Sequence, residues 1–390
     1  MSMKIAVLGA GLGGLAAAAL LASKGHEVDV FESNSWLGGK SRRIELNDSY
    51  VDTGPSLFTF PGVWEKFLET YDENLGNKAS EDLAKLDLVP LNSLGTYYFQ
   101  DEVLNLPVDA NHRLHSQWQR FSDTHQKLLE PITKLLTTDP SLVGKDAFKL
   151  MSSTSKLVST YGLNLSTEAY INNLSWMDEK LKEIIKIHTL NAGVSPSETI
   201  AIFASMAAIM ANNGVSIPKG GINEVPQALA RLAEHAGAKI HLSTAVSSIK
   251  KNRLEAKGEE HYFDIAVSGI DDTALASLMG KAKAPSGKYS CSGVAIYASF
   301  DKPMEISEMH SVVMPDKPDE MHSKLANQQE PAQTMAFVNY YPAKEIYPGD
   351  FDSAAILLTA PANGSHYNLE SDWVNSQLEF IENKLGKSFQ

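Results

Sequence analysis

Residues Lys4 to Glu32, KIAVLGAGLGGLAAAALLASKGHEVDVFE, constrain this chain more than any other stretch. They run through an apolar strand, a glycine turn, an alanine-rich helix, a second strand and an acid, in that order. Ile5 to Leu8 form a continuous apolar run suited to a buried parallel strand. Gly9, Gly11 and Gly14 follow in GxGxxG spacing, with Ala10, Leu12 and Gly13 between them. Gly9 permits a tight turn, Gly11 leaves room for a phosphate against the backbone, and Gly14 lets the helix approach the strand. The helix spans about Gly13 to Ser23 and stops at Gly25, with its N-terminal amides and positive dipole end facing an anion. Val28 to Phe31 supply the second strand. Glu32 at its end can accept hydrogen bonds from both hydroxyls of an adenosine ribose and would repel a 2′-phosphate, which disfavours NADP. With both strands, the helix and the acid in place, the segment reads as a dinucleotide-binding unit.

Composition narrows the class. A chain of 390 residues can hold two domains and bury a large core, and its 43% hydrophobic content is ordinary for a globular protein. The formal charge of −13, with no basic stripe, argues against nucleic acid as a partner. Cys291 is the only cysteine, so no internal disulfide can form and a reducing, cytoplasmic compartment is expected. The apolar run after Lys4 belongs to the glycine fingerprint rather than to a signal peptide. Thr199 to Ala211, TIAIFASMAAIMA, is the longest apolar stretch and is too short to span a bilayer. It reads as a buried helix, with a substrate-tunnel wall or a membrane-dipping element as the alternative.

Farther along, Pro218-Lys219-Gly220-Gly221 reads as a turn. Val225, Leu229 and Leu232 then repeat at helical spacing until Gly237. Strands are expected at Lys239 to Leu242, Ala245 to Ile249 and Asp264 to Gly269, with Lys250, Lys251 and Arg253 in a solvated hairpin turn. Short strands are expected within residues 80 to 107, around Tyr97-Tyr98-Phe99 and Val103-Leu104. Helices are expected from about 110 to 212. Val294 to Phe300, Met335 to Tyr340 and Ala354 to Thr359 read as a second sheet, followed by an amphipathic helix marked by Trp373, Val374, Leu378, Ile381 and Leu385.

Two loops after the fingerprint carry a family resemblance. Leu37-Gly38-Gly39-Lys40-Ser41 and Asp52-Thr53-Gly54-Pro55-Ser56 resemble the GG(R/K) loop and DxGP turn of amine-oxidase-like flavoproteins. Within that superfamily, VDTGPSLFTFP, the segment HTLNAGVSPSET from His188 to Thr199, and Ile217 to Ile249 are similar to the bacterial carotenoid desaturases, the phytoene desaturase and 1-hydroxycarotenoid 3,4-desaturase group.

The resemblance implies an α/β fold: a Rossmann-like FAD-binding domain from residues 1–75 and 216–285, and a discontinuous α+β substrate domain of mixed sheet plus helical cap from 76–215 and 286–390. It implies FAD as cofactor, with Gly38, Gly39, Lys40, Gly54 and Pro55 alongside it and the backbone of Val246 on the adenine. The implied reaction removes two hydrogens from adjacent carbons of a carotenoid polyene, with hydride passing to flavin N5. Loss of the second hydrogen as a proton from a delocalised cation needs only a weak base, and no Ser/His/Asp or paired-carboxylate constellation stands out. A lipophilic carotenoid substrate implies peripheral contact with a membrane. The substrate pocket is expected at the junction of the two domains.

His188, within the family-like segment, is the nearest candidate for orienting substrate or accepting a proton, and a satisfied core histidine is the simpler reading. His112, His115 and His125 lack a fourth ligand at metal spacing, so no metal site is expected and a polar helix face is the simpler reading. Members of the resembled group carry a further C-terminal segment with a glycine-rich flavin signature, which this sequence lacks after residue 300. A truncated chain with poor FAD retention is therefore expected. Two alternatives to a desaturase stand beside it: another flavin oxidase of the superfamily, and a non-catalytic flavoprotein fragment.

Overall fold

The computed structural model describes residues 1–137, 155–281, 289–304, 306 and 308–389. The helical expectation at 138–154 and the domain assignments at 282–288 lie outside the described residues. A four-stranded parallel sheet is built in the order Ile265–Ser268, Lys4–Leu8, Glu27–Phe31, Lys239–His241. Its central strand is an unbroken apolar run because helix covers one face and a three-stranded antiparallel ribbon covers the other. On the helical face, Leu12–Ser23 packs with Glu224–His235 and Pro61–Leu75, so Leu15, Ala18, Ala19, Leu229 and Leu232 are buried together. Truncating a buried leucine such as Leu15 to alanine would cost about 2–5 kcal/mol. The first helix ends where Gly25, at φ +83°, donates its N–H to Ala22 O at 2.8 Å. On the other face lies the ribbon Val246–Lys250, Arg253–Ala256 and Glu259–Tyr262, placing Ile249, Leu254 and Ala256 on Ala6, Leu8 and Phe31. Ile265, Ala266 and Ser268 on the outer strand are exposed.

A second, six-stranded sheet has the order Ser292–Phe300, Asp352–Ala360, Ala336–Tyr341, His310–Val313, Gly95–Phe99, Glu102–Leu106. It is antiparallel except where His310–Val313 pairs with Gly95–Phe99. The short strands expected before residue 107 thus join a sheet whose other members come about two hundred residues later in the chain. His310–Val313 escapes the sequence reading because it opens on His310 and Ser311, and its burial comes from its neighbours rather than from an apolar run. Asp372–Leu385 packs Val374 and Ile381 on one face of the sheet. On the other face, Tyr97, Phe99, Leu104, Leu106 and Val312 meet helices His115–His125, Glu179–Lys186 and Met206–Asn213 in the largest core cluster. The apolar stretch at Thr199 to Ala211 becomes a 3-10 turn, Ala201–Ser205, and then the helix Met206–Asn213, with Ala204, Ala207, Ala208, Ile209 and Met210 buried. Among the described residues, no helix is long and apolar enough to cross a membrane.

Candidate functional site

The glycine turn lies at the C-terminal end of the central parallel strand, and its glycines answer to different demands. Gly9 sits at φ +89°, and a Cβ there would come within 2.7 Å of Ile270. At Gly14 a Cβ would lie 2.0 Å from Gly9 O, so only glycine lets the helix start this close to the strand. Gly11 is different. Its φ of −73° suits any residue, and among the described residues no atom beyond its chain neighbours lies within 4 Å of the position its Cβ would take. The open space faces the N-terminus of a twelve-residue helix, Leu12–Ser23, where unpaired amides and the helix dipole favour an anion. Gly13 likewise faces open space.

Glu32 is buried, 5% exposed, and does more than its position at the strand end implied. Its Oε2 accepts the Ala10 N–H at 2.8 Å, tying the acid to the glycine turn. Its Oε1 accepts from Asn34 N at 2.8 Å, Asn34 Nδ2 at 2.7 Å and Ser33 Oγ at 3.2 Å. A carboxylate oxygen has about two lone-pair sites, so Oε2 retains capacity for one further donor, such as a ribose hydroxyl. Thr244 N donates to Glu32 O at 2.7 Å, which carries the chain past the acid into the half-buried Val246.

The second and third loops join this turn. Gly38 N donates to Ala10 O at 2.8 Å, and Gly38 pairs with Gly11 in a parallel bridge. Gly39, at φ +57°, lies so near Gly11 that a Cβ would be 3.2 Å from the Gly11 Cα. A Cβ on Gly54 would fall 1.9 Å from Lys40 O, so the two loops touch backbone to backbone. Lys40 and Pro55 are exposed, and the Lys40 charge acts on Asp271 across the turn. The Ser41 hydroxyl beside them is buried and has no hydrogen-bond partner among the described residues.

Asp52 acquires a role that sequence reading did not give it. It is buried, and its carboxylate accepts Ile222 N at 2.5 Å and Asn223 N at 3.4 Å at the start of helix Glu224–His235. Tyr347, from beyond the second sheet's Ala336–Tyr341 strand, places its hydroxyl 3.1 Å from Asp52 N. Desolvation raises the Asp52 carboxyl to about 6, against the pull of these hydrogen bonds and of the Arg43 charge. Asp52 therefore fastens the DTGP turn to the helix and to the second sheet. An acid inside the otherwise apolar and small-residue run Tyr50-Val51-Asp52-Thr53-Gly54 was the available signal.

The histidines go elsewhere. His188 is interior, with its Nε2 2.9 Å from the Tyr97 hydroxyl, and burial, assisted by nearby His310, lowers it to about 3. It is a neutral imidazole in the core between the second sheet and its helices. His112 meets Glu102 at 3.2 Å, and His115 Nδ1 meets Val108 O at 2.8 Å. His125 is buried against Ser205 at 2.5 Å and the Tyr170 hydroxyl at 3.1 Å. The three do not converge, and among the described residues no group of three metal-ligating side chains does.

An open cradle at Gly11, a dipole aimed into it, an acid with spare acceptor capacity and an orphaned hydroxyl on the adjoining loop together fit the diphosphate and ribose of a dinucleotide. Comparison with known proteins points to a flavin. Residues 12–346 match the family described as flavin containing amine oxidoreductase. The 4,4'-diapophytoene desaturase (4,4'-diaponeurosporene-forming) of Staphylococcus haemolyticus is 27% identical over 337 residues, covering 80% of this chain and 66% of its own length. That of Staphylococcus aureus is 26% identical over 347 residues with the same coverage, so the chain spans just under two thirds of the length of these relatives. An oxidoreductase from Methanosarcina mazei shares the fold at a TM-score of 0.65 and 20% identity, over 99% of this chain and 86% of its own. A putrescine oxidase does so at 0.62 and 14%, over 99% and 82%. The chain belongs to the flavin-containing amine oxidoreductase family.

Proposed function

We propose that this chain is the catalytic body of an FAD-dependent oxidoreductase that desaturates a carotenoid-type polyene, of the phytoene or hydroxycarotenoid kind. The open cradle at Gly11 carries the cofactor half of this reading, because nothing in the protein's own packing requires glycine there. The relatives named as diapophytoene desaturases support the substrate half. The division into an FAD-binding unit (1–75 and 216–285) and a substrate unit (76–215 and 286–390) belongs to the same proposal.

In this reading the amides after Gly11 hold the pyrophosphate, Glu32 Oε2 accepts a ribose hydroxyl, and the Val246 backbone meets the adenine. Gly38, Gly39, Lys40, Gly54 and Pro55 form the backbone wall beside the ring system. Bound there, the flavin supplies a two-electron acceptor for a hydride from the substrate carbon. The protein contributes position and exclusion of water, since loss of a proton from an extended delocalised cation calls for no strong base. His188 is buried against the Tyr97 hydroxyl, away from the loops that hold the cofactor in this reading, and is not assigned that proton. A long polyene resides in lipid, so attachment to a membrane surface, from the cytoplasmic side, is part of the proposal.

The test is to purify the chain, add FAD, and supply diapophytoene, phytoene or a hydroxycarotenoid in liposomes. Saturable FAD binding by fluorescence titration and a red-shifted polyene spectrum are expected. Bound flavin with oxidation of amines and no change in any polyene would refute the substrate class. Absence of any saturable FAD binding would refute the cofactor assignment.

A further inference from the structure

We infer that the loop Gly162–Leu165 together with Ile200 forms a lipid-docking face, through which the protein rests on an uncharged bilayer surface. Leu163 is 98% exposed, Leu165 86%, Ile200 63% and Val158 61%. They are neighbours: Gly162 N donates to Val158 O at 2.8 Å, Ala201 N donates to Leu165 O at 3.1 Å, and Ser166 bridges Ile200. The loop is held in place. Asn164 donates to Tyr161 O at 2.8 Å and accepts from Asn173 at 2.7 Å, while Thr167 Oγ1 donates to Ile200 O at 2.9 Å. Two of the most exposed aliphatic side chains in the described chain are thus presented outward on a fixed protrusion rather than folded back onto the protein.

Charge selects the partner. The chain carries 34 basic and 47 acidic residues, yet residues 157–167 and 199–218 contain no Asp, Glu, Lys or Arg. Lys156, Glu168 and Glu198 flank these uncharged stretches, so the loop brings no basic cluster to a membrane; on a protein of net charge −13 that matches a zwitterionic bilayer, and an anionic surface would repel the rest of the molecule. Area argues against a second copy of the chain. Four aliphatic side chains expose on the order of 300–400 Å², against about 800 Å² per partner in a stable protein–protein interface. A bilayer sets no such minimum, since it needs no complementary shape and takes up aliphatic side chains singly. The face also continues inward: Leu157 and Ile202, next in sequence to Val158 and Ala201, pack on the largest core cluster. This inference deepens the reading of a lipid-soluble substrate, but lipid alone tests it, so either can fail without the other.

The experiment is flotation of the 390-residue chain with phosphatidylcholine vesicles, comparing wild type with the Leu163→Ser/Leu165→Ser double variant and with Leu369→Ser. Leu369, 64% exposed on another part of the surface, controls for loss of any apolar side chain. Binding by wild type and by Leu369→Ser that persists at about 0.5 M salt is expected, because salt screens charge and leaves apolar burial intact. The double variant should bind at least about tenfold more weakly. Its thermal unfolding should match wild type, since neither leucine is buried. Equal binding by wild type and double variant overturns the proposal, as does binding confined to anionic vesicles and lost in salt, which would point to Lys250, Lys251 and Arg253. A dimer in solution that the double variant abolishes would show that the face pairs with a second copy.

Discussion

Gly11 and Gly14 stand three residues apart in one motif, yet the structure assigns one to a ligand and the other to the fold, and substitution separates the two roles. At Gly14 a Cβ would sit 2.0 Å from Gly9 O, more than an ångström inside an ordinary contact, with backbone on both sides of the clash. Gly14→Ala must push the helix Leu12–Ser23 off the central strand, and overpacking of that kind costs roughly 1–3 kcal/mol or more. At Gly11 the backbone angles are open to any L-residue and the Cβ position is empty. Gly11→Ala loses roughly 0.5–1 kcal/mol of N-cap preference and regains about 0.4–1 kcal/mol by restricting the unfolded chain, so its net effect on the apoprotein should be near zero. Gly11→Val should behave similarly in the apoprotein but place a branched side chain in the pyrophosphate's space. Thermal unfolding of the apoproteins and flavin content after reconstitution give the two readouts. The expected result is a destabilised Gly14→Ala, and a Gly11→Val that melts like wild type but holds no flavin. If Gly11→Val melts as early as Gly14→Ala, or retains a full complement of flavin, the division of labour drawn from the geometry is wrong.

Glu32→Gln should weaken FAD binding by roughly 1–3 kcal/mol, because an amide nitrogen replaces one acceptor oxygen and leaves either the Ala10 amide or the ribose hydroxyl without a partner; fluorescence titration of the apoprotein with FAD reads the change. Asp52 titrates near 6 in the fold against about 3.9 unfolded, so the folded state holds the proton more tightly and this carboxyl costs stability as pH rises through that window, up to about 3 kcal/mol above pH 6. Unfolding of wild type and Asp52→Asn followed between pH 4 and 7 should show that component only in wild type; parallel curves would exclude it. His125 and His188, lowered to about 3, and His322, lowered to about 4, act in the opposite sense. Each is neutral when folded, so its contribution is present above the unfolded value near 6.5 and lost as pH falls, roughly 2 kcal/mol per histidine at pH 5. Three such losses outweigh the gain from Asp52. The protein should therefore lose stability between pH 6.5 and 5, and His188→Gln should flatten that slope.

What the sequence determined by itself is local. The run from Lys4 to Glu32 reads directly as strand, turn, helix and strand because each glycine's demand, the helix's alanines and the alternation of apolar residues act over a few positions. The same holds for the turn at Gly220 and Gly221 and for the helix Glu224–His235, whose boundaries match its periodicity. The apolar pattern also marked most strands of the second sheet. It could not say which strand pairs with which, since a period of two residues records a buried face and not a neighbour. Only the tertiary structure joined Gly95–Phe99 to His310–Val313 and brought Gly54 against Lys40. Burial of polar groups was equally out of reach, because the cost of desolvating a carboxylate or an imidazole depends on atoms far away in the chain. Asp52 rests on the amides of Ile222 and Asn223, Glu32 holds Ala10, and His188 lies shut away against Tyr97. The exposed leucines of the Gly162–Leu165 loop belong to the same class: an apolar residue in a sequence is expected inside, and only the packing of everything else left these two facing out.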